Sequence, residues 1–75
     1  MDKKEFEKLL AEAESGNAEA MYLVGLAYES GETVEADGKK AIAWMERAAE
    51  LENEKAVQWL KEYYFDDDAG VQAHS

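Results

Sequence analysis

Few side chains in this 75-residue chain could carry covalent or acid–base chemistry. His74 is the one histidine, and it falls in a polar tail where no element would hold it as a general base. Ser15, Ser30 and Ser75 therefore lack an ordered histidine to activate a hydroxyl. Cysteine is absent, which removes disulfide staples, thiolate zinc sites and sulfur nucleophiles. The run Asp66-Asp67-Asp68 has neither the alternating ligands nor the glycine of a calcium loop. The segment GETVEADGKK, from Gly31 to Lys40, lacks the spacing of a phosphate-cradling loop. Carboxylates such as Glu12 and Glu50 could meet in space, but nothing suggests the desolvated pocket that raises one pKa. The expectation is no catalytic residue, no metal and no cofactor.

Charge narrows the partners further. Lys and Arg number 8 against 18 Asp and Glu, leaving a formal charge of −10. A basic footprint for nucleic acid is missing, and an anionic membrane surface would repel the chain. The N-terminus, Met1 to Glu5, has no apolar run of a secretory signal. The mostly apolar stretch from Ala18 to Tyr28 is far shorter than the roughly 20 residues that cross a bilayer. A cytoplasmic location is the expectation. Hydrophobic residues make up 47%, enough for a folded domain, although folding at this size hides only about 60% of the unfolded surface.

The elements that position the remaining side chains are helical. Phe6, Leu9, Leu10 and Ala13 recur at steps of three and four, so a first helix is predicted from about Asp2 to Ser15, with Asp2 as its cap. Gly16 ends it, and Asn17 caps a second helix over Ala18 to about Ser30, with Ala20, Val24, Ala27 and Tyr28 inward. Gly31 stops that helix, and Val34 tucks inward from the following loop. Asp37 caps a third helix whose apolar face is Ala41, Ile42, Trp44, Met45, Ala48 and Ala49. Asn53 caps a fourth, Glu54 to about Phe65, carrying Ala56, Val57, Trp59, Leu60, Tyr63 and Tyr64. Asp66 to Asp68 oppose the dipole at its C-terminus, so the helix should fray there, leaving residues 66–75 as an acidic disordered tail.

The chain also repeats itself. A shift of 36 positions carries Asn17 onto Asn53, Ala20 onto Ala56, Val24 onto Leu60 and Tyr28 onto Tyr64. The same shift carries Phe6 onto Ile42, Leu9 onto Met45 and Ala13 onto Ala49. A period of this length indicates stacked helical hairpins, and so an all-α, four-helix solenoid fragment of two antiparallel hairpins within residues 1–65. Small residues at Ala20, Gly25, Ala41, Ala48 and Ala49 would let helix backbones approach to about 8–10 Å, with Tyr28 and Trp44 filling the space between hairpins.

Ala20, Val24-Gly25, Tyr28, Gly31, Val34, Asp37, Lys40-Ala41, Trp44 and Ala48-Ala49 together resemble the Sel1-like repeat, a relative of the tetratricopeptide repeat. The resemblance covers one complete repeat, about 18–53, flanked by the second helix of a preceding repeat and the first helix of a following one. It implies an adaptor that assembles complexes without chemistry of its own. Three residues depart from the pattern. Glu52 stands where glycine is usual, so a different turn is expected there. Lys61 replaces the small residue found at Gly25, so a neighbour is expected to approach the fourth helix less closely. Thr33 sits at a common glycine position.

In tetratricopeptide-like folds the first helix of each repeat lines the concave groove. On that basis Glu19, Tyr22, Leu23, Leu26 and Glu29 on the second helix face a ligand, joined by Lys55, Gln58, Trp59, Glu62 and Phe65 on the fourth. Aromatic and aliphatic side chains rimmed by carboxylates have the composition of a peptide-binding hot spot. A purely structural alternative has Leu23 and Trp59 contacting the first helix or each other. The expected partner is a protein or peptide, basic or amphipathic, drawn by the acidic surplus. A competing reading makes the carboxylates imitate nucleic-acid phosphates and block the basic cleft of an enzyme. A third is weak self-association, in which unpaired end faces stack between copies.

Overall fold

The computed structural model describes the backbone of residues 1–72 and the side chains through Tyr64. His74 and its proposed irrelevance to catalysis lie outside the described residues, as do Ala73 and Ser75. Four helices follow one another: α1 (Lys3–Glu14), α2 (Ala18–Ser30), α3 (Gly38–Glu50) and α4 (Glu54–Gln72), with no strand among the described residues. Each helix packs on its sequence neighbour, giving two antiparallel hairpins stacked through α2 and α3.

Local hydrogen bonds explain where the helices begin. Asp2 Oδ1 accepts from the Glu5 N–H at 2.8 Å, Asn17 Oδ1 from Ala20 at 2.9 Å, Asp37 Oδ1 from Lys40 at 3.1 Å and Asn53 Oδ1 from Ala56 at 3.0 Å. All four caps are those the sequence marks. Each satisfies an amide that the first helical turn leaves without a partner.

The core is built largely of small residues. Phe6, Ala13, Ala20, Met21, Val24, Ala27, Ala41, Met45, Ala48 and Ala56 are buried, and no polar or charged side chain among the described residues joins them. Alanine offers little apolar area per residue, so the joint depends on close approach and on a few larger plugs. Among the side chains sealed completely from solvent, Met45 is the largest. A Cβ built on Gly25 would stand 3.0 Å from the Met45 Cε, so glycine there lets α3 seat against α2. Phe6 meets the Tyr28 ring edge-on at 5.5 Å and pins α1 to the far end of α2. Val34 packs inward from the loop, as its isolation among polar residues suggests.

Three expectations need correction. Met21 is buried and Tyr28 only half-buried, although the spacing puts Tyr28 and not Met21 inward. The reason is that α2 lies between α1 and α3 and so has two buried faces. Glu52 does not change the turn after α3. It adopts φ 66°, left-handed like Gly16 at φ 110° after α1. The same pair of bonds closes both ends: Gly16 N–H to the Ala13 carbonyl and Asn17 N–H to Glu12, then Glu52 N–H to Ala49 and Asn53 N–H to Ala48. Glutamate therefore occupies a conformation that disfavours a Cβ by about 1–2 kcal/mol. Finally, α4 runs as helix to Gln72, beyond the stop expected near Phe65. No proline or left-handed residue interrupts it, and Asp66 to Asp68 then lie inside the helix instead of at its end.

Candidate functional site

α2 and α4 are equivalent helices of successive repeats, so residues 36 apart stand at the same helical phase. Glu19 and Lys55 are such a pair with opposite charge, and their side chains meet at 3.0 Å between Oε2 and Nζ. Asn53 Nδ2 donates to the other carboxylate oxygen at 3.2 Å. The Lys55 ammonium lies 5.7 Å from the centre of the Tyr22 ring. This cluster ties the start of α4 to the first turns of α2. Hydrogen bonds from Lys55 and then Asn53 hold the Glu19 carboxyl below its ordinary value of 4.5.

Beside that clamp opens a cleft lined by Tyr22, Glu54, Lys55, Gln58, Trp59 and Glu62, with a volume of ≈ 450 Å³. Tyr22 and Trp59 are half-buried and pack against the core, and both line the cleft. Trp59 also stacks on Tyr63, with ring centroids 5.4 Å apart and planes 6° from parallel. Gln58 Nε2 donates to Glu62 Oε2 at 3.2 Å, fixing part of one wall. Carboxylates from Glu54 and Glu62 and the ammonium of Lys55 make up the charged lining.

The structure thus brings together five of the residues marked from the sequence: Tyr22, Lys55, Gln58, Trp59 and Glu62. Glu19 sits at the edge as the clamp. Leu26 is half-buried and packs against the core, Leu23 is half-buried, and Glu29 is exposed near the end of α2; none of the three lines this cleft. Trp59 packs against the core and also lines the cleft. Glu54 is the lining residue the helical stripe leaves out. Its signal is its place in the first turn of α4, beside the clamp formed by Glu19 and Lys55.

Among the described residues no three metal-ligating side chains converge, and no helix is long and apolar enough to cross a membrane. The remaining polar contacts are structural. Tyr64 donates its hydroxyl to Glu46 Oε2 at 3.2 Å, which raises its pKa above the usual tyrosine value. The Arg47 guanidinium covers the Trp44 ring at 4.4 Å.

Helices spaced as caps, small residues and left-handed turns at a fixed period find their counterpart in one family model. The model described as Sel1 repeat matches residues 18–53 and again residues 52–62. The chain belongs to the Sel1 repeat family. Sel1 repeats generally mediate protein–protein interaction and are generally non-catalytic. The first match takes in α2, the loop after it and α3; the second begins at Glu52 and covers the half of α4 that carries the cleft. No curated protein and no solved structure matches the chain.

Proposed function

We propose that this Sel1 repeat chain is a non-catalytic interaction module that captures a basic or amphipathic peptide segment in the cleft between α2 and α4. The supporting observation is the cleft itself, lined by the half-buried Tyr22 and Trp59 together with the exposed Glu54 and Glu62. Half-buried aromatics held by a core lose little side-chain freedom on binding, and they dominate the energetics of small interfaces. The carboxylates select a cationic partner, as does a net charge of −10. The segment would run on from the cleft past the half-buried Leu23 and Leu26 of α2, between Glu19 and the exposed Glu29.

The test is a titration with lysine- and leucine-bearing amphipathic peptides, followed by heteronuclear NMR. Shifts should concentrate on Tyr22, Lys55, Gln58, Trp59 and Glu62. The variant Tyr22→Ala with Trp59→Ala should weaken capture by roughly thirtyfold or more, the scale of hot-spot truncations, while helical circular dichroism persists. Retained binding by the folded double variant would remove the cleft from consideration.

A further inference from the structure

The repeat register assigns a role to two surfaces outside the cleft. α3 seats on α2 through Met45, which lies against Gly25 and is flanked by the buried Ala41 and Ala48. A shift of 36 positions places Leu9, Glu5 and Glu12 of α1 where α3 has Met45, Ala41 and Ala48. The same shift places Lys61 of α4 where α2 has Gly25. α1 is thus a second-helix type whose outer face holds no first helix among the described residues. α4 is a first-helix type whose outer face holds no second helix.

Among the described residues each face carries a hollow. On the α4 side an apolar hollow is lined by Ala49, Val57, Leu60, Lys61 and Tyr64, and its one charge is a cation. On the α1 side a hollow is lined by Met1, Glu5, Lys8, Leu9 and Glu12, apolar at Met1 and Leu9, with two carboxylates against one ammonium. We propose that α1 of a second copy docks on α4 as α3 docks on α2, head to tail, with Leu9 in the apolar hollow and Lys61 paired with Glu5 and Glu12 of that copy. The larger side chains hold the helices farther apart than in the α2–α3 joint. An ion pair then replaces part of the tight packing. The contact is heterologous, so it can propagate along a stack instead of closing as a dimer. It is also weak, because every copy carries −10. This surface is separate from the peptide cleft, and either proposal can fail alone.

Sedimentation of the full chain from low micromolar to millimolar concentration tests it. The weight-average mass should rise with concentration. Lys61→Glu should weaken assembly by about tenfold or more, as like charges come to face each other. Glu5→Lys with Glu12→Lys should weaken it as well, although this variant carries less net negative charge. An equimolar mixture of the two variants should restore assembly. Lys39→Glu, which makes the same charge change as Lys61→Glu at an exposed position elsewhere, should assemble as the parent does. Circular dichroism checks that each variant keeps its helices. A monomer at all concentrations would overturn the proposal. So would unaltered assembly by folded Lys61→Glu, or stronger assembly by the Glu5→Lys, Glu12→Lys chain.

Discussion

α2 and α4 begin with the same cap and the same buried alanine but differ at most positions around them. Both start at an asparagine cap and both bury an alanine three residues later, Ala20 and Ala56. Beyond that, α2 has a buried Val24 and a Gly25 seated against Met45 of α3, where α4 has a half-buried Leu60 and an exposed Lys61. One helix is apolar around much of its circumference because helices cover it on two sides; the other carries charges and tyrosines on its uncovered side. Positions shared by both copies make the fold, and positions that differ are released for surface work. The clamp between Glu19 and Lys55 illustrates this, since it exists only because the two copies chose opposite charges at one position.

That contrast can be broken most sharply in the core. Met45→Ala should destabilise the chain by about 2–5 kcal/mol, the range for emptying a buried methionine site. At the usual per-residue scale the whole fold holds roughly 4–11 kcal/mol, so a substantial unfolded population should appear in urea titrations. Leu60→Ala on the open face of α4 should lose less than about 2 kcal/mol. Equal losses would mean that the α4 face is covered in solution.

Cap removal sharpens the likeness of the two helix starts. Asn17→Ala and Asn53→Ala should each lose about 1 kcal/mol in the same titration. Asn53 should be at least as sensitive, because its amide also donates to Glu19. The turns offer the opposite sign. Glu52→Gly should gain about 1 kcal/mol by removing a Cβ from a left-handed residue, raising the unfolding midpoint.

Much of this was legible in the sequence because it is local. A cap side chain bonds an amide three residues on, and small residues at a fixed period announce helices that touch. The turn at Glu52 was misjudged for a physical reason. Glycine is the usual tenant of a left-handed position, yet the hydrogen bonds to Ala48 and Ala49 hold glutamate there. Met21 was missed because a single-face pattern cannot register a helix covered from two directions. The cleft was half legible. Equivalent helices reveal which side chains share a face, but Glu54 enters it from the end of the helix, outside the stripe.

The smallest effect concerns pH. Glu19 titrates below its ordinary value in the folded chain, so its contribution is present above pH 4.5 and fades as pH falls through the lowered folded value. Both partners are largely solvated, at 62% and 48% side-chain exposure, so the acid loss should be slight. Lys55→Gln should flatten it.

The side-by-side placement of α2 and α4 underlies both the cleft and the stacking register, and through-space NMR reads it directly. Cross-peaks between Tyr22 ring protons and the Lys55 or Trp59 side chains are the expected result. Their absence, with the α2–α3 contacts from Met45 intact, would contradict the arrangement.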